Sequence, residues 1–197
     1  MGLLFRLGLV LFLLMGLSAA GLYVAAQQRP SAVAGMPAIS PNAGDAASLD
    51  AKIAALESQL AQAARSSAHV SVSITFTEQE LTSKVAEFLA SQPNNPLHPT
   101  NVQVHLRGGN VVLNTTIQAQ GLSLNVAVTA TPQAVNGSLK LSVQSVDTGA
   151  IALPDFVKQQ LNAALAPALD PSALGLPLDV TSVVVGNGQL TLNGVTK

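Results

Sequence analysis

Residues 7–26, LGLVLFLLMGLSAAGLYVAA, run for twenty positions without a charge, between Arg6 and Arg29. As a helix rising about 1.5 Å per residue, such a segment spans roughly 30 Å, the thickness of a bilayer's hydrocarbon core. No other feature restricts the chain so strongly, because it places everything after residue 27 at or beyond a membrane. Two readings of the run stay open. An uncleaved anchor uses all of it. A cleaved signal peptide uses Arg6 as its charged start, Leu7–Leu17 as its apolar centre, and Ser18-Ala19-Ala20 or Val24-Ala25-Ala26 as a small-residue cleavage site. The run continues through Gly21, Leu22 and Tyr23, past the roughly 7–15 residues of a signal core, and this favours the anchor. Either reading puts the C-terminal part outside the cytoplasm: held by a single pass, or secreted if the segment is cleaved.

Four segments follow from composition and periodicity. Residues 1–27 are the anchor or signal peptide. Residues 28–47 are rich in Pro, Ala and Ser and carry no apolar periodicity, so they read as an extended spacer. Residues 48–66 read as an amphipathic stalk helix. Leu49, Ile53, Leu56, Leu60 and Ala63 recur at steps of four, three, four and three. Such a seam suits a homodimer beside the membrane, or equally a helix packed on its own domain. Residues 67–197 leave roughly 130 residues for one domain with a real core.

Within that domain the period first becomes two. Val70, Val72, Ile74 and Phe76 alternate with Ser71, Ser73 and Thr75, the pattern of a half-buried strand. A helix follows at once: Thr77 and Glu80 form a capping box, and Phe76 and Leu81 sit at staple positions. Leu81, Val85, Phe88 and Leu89 make its apolar stripe. The Pro-rich stretch at 91–100 ends it. Residues 101–147 read as an antiparallel meander with turns at Gly108-Gly109-Asn110, at Gly121 and over Pro132–Gly137, and with a bulge-like phase shift at Ser145-Val146. GAIALP (149–154) closes the sheet. A second helix is expected from about Asp155 to Leu169, with Val157, Leu161, Leu165 and Ala168 at helical spacing. LDVTSVVV and QLTLNGVT flank Gly186-Asn187-Gly188, a hairpin signal. The fold class is therefore α+β: a curved, largely antiparallel sheet of about six to seven strands on two amphipathic helices.

Composition excludes some functions. The net charge is -1 and only 10% of residues are charged, against about 25% in ordinary soluble proteins. Nucleic acid, which rewards clustered Lys and Arg, is not an expected partner. There is no cysteine, so disulfides and a lipoprotein cysteine are absent. His69, His98 and His105 have no ligand spacing, and no metal is expected. No nucleophile motif, zinc motif or phosphate loop occurs, so neither catalysis nor a cofactor is expected. Glu78 and Glu80 stand at a helix start, where carboxylates oppose the dipole.

Two faces of the meander remain as candidates. No charged residue occurs from Gly108 through Leu139, so its outward face is Ser, Thr, Asn and Gln. Its inward face is slender Leu and Val. If the helices pack closely on that face, the result is a closed core; if they stand off, it is an apolar groove able to take acyl chains. The residues expected to line it are Leu81, Val85, Phe88, Leu122, Leu124, Val126, Val128, Leu161 and Leu165.

The stretch ITFTEQELTSKVAEFL, the paired short strands, VNGSLKLSVQSVDTGAIALPDFVKQQLNAAL and the final hairpin together resemble two families of small bacterial membrane-anchored or exported proteins. These are the YpmS-like family and the LmeA-like (lipomannan elongation factor) phospholipid-binding family. The resemblance covers about residues 68–196. Its most telling piece is the sheet-closing motif at Gly149, Ile151, Leu153 and Pro154, entering a helix at Asp155. It implies a tubular lipid-binding (TULIP-like) domain and contact with a phospholipid or another apolar ligand. The expectation is a membrane-tethered, extracytoplasmic, non-enzymatic lipid-binding domain. The alternative is a closed-core envelope module that oligomerises through Leu49, Ile53, Leu56 and Leu60.

Overall fold

The computed structural model describes residues 30–66, 69–91, 99–119, 122–148 and 178–196. The apolar run 7–26, the motif at 149–154 and the helix expected over 155–169 lie outside the described residues. Within them the chain is α+β, with a short 3-10 turn at Ser31–Val33, two helices and seven strands. Helix α1 is Ala43–Ser66 and α2 is Glu78–Ala90. The strands are β1 (Ser71–Thr77), β2 (Thr100–Arg107), β3 (Asn110–Ala119), β4 (Leu122–Val135), β5 (Ser138–Asp147), β6 (Leu178–Val185) and β7 (Gln189–Thr196). All pairings are antiparallel, in two open sheets ordered β1-β7-β6 and β2-β3-β4-β5, an arrangement consistent with a TULIP-like domain.

The division into two sheets follows from the junction at Thr77. Strand β1 runs directly into α2 and pairs with the C-terminal strand β7, so the meander β2–β5 forms a sheet of its own. One core joins both sheets to α2. Val85 and Leu89 of α2 meet Val102, Val104, Leu106, Leu113, Val126, Val128 and Val146 of the larger sheet and Leu190 of the smaller. Two turns lock the sheets together. The Val180 amide donates to the Gly137 carbonyl at 2.8 Å, and the Gly188 amide to the Leu106 carbonyl at 2.9 Å.

The β4–β5 turn is tighter than Pro132–Gly137. It consists of Asn136 and Gly137, both in the left-handed region at φ 53° and 76°, as a two-residue hairpin demands. Pro132 lies inside β4, paired with Leu141. It is tolerated because the β3 pairing of β4 ends at Ala130, so beyond that point β4 is an edge. The bulge falls at Gln144, between the pairs Thr129–Ser145 and Ala130–Val143.

Helix α1 begins at Ala43, inside the segment read as spacer, and packs on α2, β1 and β7. Its stripe faces its own domain: Leu49, Ile53, Leu56 and Leu60 are 1–8% exposed, and Leu56 and Leu60 cluster with Val72. Dimerisation through this stripe would require those side chains to leave the domain.

The rest of the expected spacer, from Pro30 on, is a strap bound to the outer face of the larger sheet. Asp147, Ala127, Asn114 and Gln103 stand in register across β5, β4, β3 and β2. The strap crosses the sheet along this row. At one end the Ser31 hydroxyl and the Ala32 amide donate to Asp147 Oδ2 at 2.6 and 3.2 Å. In the middle Val33 packs on Val112 and Ala127. At the other end the Ile39 amide donates to Gln103 Oε1 at 3.4 Å. Pro, Ala and Ser spacing carries no period, so these anchoring contacts leave no pattern in the sequence.

Candidate functional site

Where the strap leaves the sheet it bounds an open groove of about 490 Å³. One wall is the strap itself, Ala38–Pro41. A second is the C-terminal end of α2, through Ala86, Leu89 and Ala90. The third is Pro99–Gln103, at the start of β2. The floor is apolar and buried: Ile39, Leu89 and Val102 are 7, 8 and 6% exposed. Leu89 and Val102 also belong to the main core, so the groove floor is continuous with it. Ser40, Thr100 and Asn101 form an exposed polar rim. Among the described residues none that lines the groove carries a charge.

Local chemistry builds each wall. The Thr77 hydroxyl accepts from the Glu80 amide at 3.1 Å, while the Thr77 amide donates to Glu80 Oε2 at 3.0 Å; this capping box starts α2 in a fixed place. Ala86, Leu89 and Ala90 then share one helix face, and the two alanines leave room beside the leucine. Strand β2 opens irregularly, with a register shift between Thr100 and Gln103 and Asn101 at φ 53°. Asn tolerates that conformation better than most residues, and a register shift of this kind locally bends the start of the strand. The strap is pinned to α2 by the Asn42 amide on Ser83 Oγ (3.1 Å) and by Gln79 Nε2 on the Ser40 carbonyl (2.6 Å).

A group of ion pairs lies along the first turns of α2 and its contacts with α1 and β2. Glu80 is 5% exposed and accepts from Ser48 Oγ (2.6 Å), Lys52 Nζ (2.8 Å) and the Thr77 amide. Burial alone would raise its pKa, but the hydrogen bonds from Lys52, Ser48 and Thr77 outweigh burial and hold it at about 2. Lys84 bonds Asp50 at 2.7 Å and Glu87 at 3.2 Å. Burial would lower its pKa, yet Asp50 and Glu87 raise it above the ordinary lysine value. Arg107 grips Glu78 with both terminal nitrogens, at 2.8 and 3.1 Å. These pairs tie α1, α2 and β2 together and leave the groove neutral.

The residues expected on the apolar face are distributed as follows. Val85, Val126 and Val128 are buried together in the main core, with Leu81 and Phe88 half-buried against it. Leu122 and Leu124 lie in β4, with side chains outside the described set. Leu161 and Leu165 lie outside the described residues. Of the groove's own residues, only Leu89 belongs to the stripe that periodicity picks out. Ala38, Ile39 and Pro41 sit in the apparent spacer and Pro99 and Thr100 in the Pro-rich stretch, while Asn101–Gln103 open the first strand of the expected meander. Non-periodic segments of this kind give no signal of a shared wall.

Among the described residues no group of three or more His, Asp or Glu could hold a metal ion. His69 Nδ1 lies 3.0 Å from the Thr196 carbonyl, and His105 is 1% exposed on β2. Among the same residues no helix is long and apolar enough to cross a membrane.

A model of the LmeA-like phospholipid-binding family matches residues 19–195. No curated protein and no solved structure matches the chain.

Proposed function

The chain belongs to the LmeA-like phospholipid-binding family, and from that premise we propose a membrane-tethered, extracytoplasmic, non-enzymatic domain that holds a phospholipid by its acyl chain in the groove between strap, α2 and β2. The observation that carries this reading is the groove's makeup among the described residues: an apolar floor continuous with the core, a neutral polar rim and no charged residue. Its volume falls in the range of roughly 300–1,000 Å³ usual for ligand sites. Each methylene removed from water contributes about 0.8 kcal/mol, so an acyl chain needs no ionic clamp. The helix end facing the groove is the C-terminal one, whose partial negative charge disfavours a phosphate there. The headgroup therefore stays outside the rim.

The apolar run 7–26 supports the tether and the extracytoplasmic location. Among the described residues Ser40 and Thr100 are the hydroxyls of the groove, and neither a histidine nor a carboxylate lines it beside them. That favours binding over catalysis. The test is native mass spectrometry with lipid extraction on the full chain purified in mild detergent. A phospholipid retained at near-stoichiometric amount is the expected result. A lipid-free chain that also ignores added phospholipid would leave a closed-core envelope module as the better account.

A further inference from the structure

We propose that the outer face of the larger sheet, the face the strap crosses, is laid against the lipid bilayer, so that the domain sits on the membrane surface instead of standing off it on a spacer. The inference rests on the anchor reading of residues 7–26 given above. Its structural basis is that the chain is already held on the sheet at Pro30–Ala32. Pro30 is fully buried, and the next two residues are tied to Asp147. Only residues 27–29 separate this attachment from the end of the apolar run. From Ala26 to Pro30 is four steps, so at about 3.6 Å per extended residue that link reaches roughly 14 Å. A domain so tethered cannot turn its strap-bearing face far from the surface.

The chemistry of that face fits a bilayer. Residues on the same face as Asp147 and Ala127 include Asn125, Thr129 and Gln133 on β4 and Ser142 and Ser145 on β5. The charges on these two strands' outer face are Lys140 and Asp147, which offset each other. Ordinary one-sided sheets carry mixed Lys and Glu there, partly to guard their edges. Neutral hydroxyls and amides lose less solvation against headgroups than ions would, and an anionic leaflet does not repel them.

The register row gives the functional consequence. From Asp147 to Gln103 is three strand spacings of about 4.8 Å, so the strap covers roughly 14 Å before it becomes the groove wall. The groove then lies within roughly 29 Å of the end of the apolar run along the chain. A lipid can pass between leaflet and groove while the domain stays in place.

The chain has no cysteine, so single labels are unambiguous. Full-length Ser142→Cys, Ser123→Cys and Ser73→Cys variants, each labelled with a fluorophore, would be reconstituted into phosphatidylcholine–phosphatidylglycerol vesicles containing headgroup-quencher lipid. Ser142 and Ser123 are exposed on the larger sheet's outer face; Ser73 is exposed on β1 of the other sheet. The expected result is several-fold stronger quenching at positions 142 and 123 than at 73, abolished by a long Gly-Ser insertion between Arg29 and Pro30. Equal quenching at all three sites in protein that floats with the vesicles, or stronger quenching at 73, overturns the inference and leaves the anchor standing. Protein that does not float with the vesicles overturns the anchor reading, and this inference with it.

Discussion

Thr82 and Val104 exchange two hydrogen bonds between a helix side chain and the free edge of a strand. The Thr82 hydroxyl accepts from the Val104 amide at 2.9 Å and donates to the Val104 carbonyl at 3.4 Å, with Thr82 fully buried. Two residues on, the Leu106 amide donates to Glu78 Oε2 at 3.2 Å, and the Leu106 carbonyl accepts from the Gly188 amide. Strand β2 is an edge of its sheet. Its outward backbone groups at Val104 and Leu106 are thus satisfied by α2 and by the β6–β7 turn, which protects this part of the edge and seats the helix that walls the groove.

Thr82→Val keeps the shape and removes both bonds. The buried Val104 amide is then left without a partner, at a cost of about 1–3 kcal/mol. Urea unfolding should show a lower midpoint with an unchanged slope, whereas Thr82→Ser should retain most of the stability.

Glu80 gives the fold an acid dependence of known sign. Its folded pKa, about 2, lies below its ordinary value of 4.5. The unfolded chain therefore binds the proton more readily, and the stabilisation present above pH 4.5 is lost as the pH falls towards 2. Glu80→Gln should lower stability at neutral pH by about 2–3 kcal/mol and flatten that acid limb. Thermal unfolding from about pH 2 to about pH 7 measures both.

His105 acts in a different window. Its Nδ1 is buried without a hydrogen-bond partner. Burial lowers its pKa below 6.5; Glu78 opposes this and Arg107 adds to it. The neutral form is the folded one, so stability should fall as the pH drops below 6.5. His105→Leu should remove this slope and stay within about 1 kcal/mol of the parent at neutral pH, since no bond to Nδ1 is lost. A loss of stability without any change in the slope would mean that the ring is needed for its packing alone.

Ala86→Phe places a ring in the groove from a half-exposed helix position. Phospholipid binding should drop at least tenfold, about 1.4 kcal/mol, with little change in thermal unfolding. Unchanged binding in a folded variant would place the lipid elsewhere.

Much of this architecture is legible in local chemistry. Thr77 and Glu80 announce the start of α2, and Gly186-Asn187-Gly188 the last hairpin, because caps and tight turns need particular residues at particular offsets. The alternation of β1 and of the meander is likewise direct. The strap is not legible: its hold on the sheet consists of single contacts such as Ser31–Asp147, across 116 residues of sequence. The stripe Leu49–Leu60 shows the face of α1 without its partner, since the same period serves a second copy or the helix's own domain. Glu80 reads as a helix-start carboxylate, and its bonds to Ser48 and Lys52 depend on α1 folding back. The groove is less visible still, since its strap wall has no period and its third wall begins in the Pro-rich stretch at Pro99–Thr100.

The most direct measurement is photo-crosslinking of the full chain in vesicles, using a phospholipid with a diazirine at the acyl terminus, followed by peptide mapping. The account predicts adducts in Ala38–Pro41, Ala86–Ala90 and Pro99–Gln103, suppressed by Ala86→Phe. Adducts confined to other segments of a folded, membrane-bound chain would contradict it.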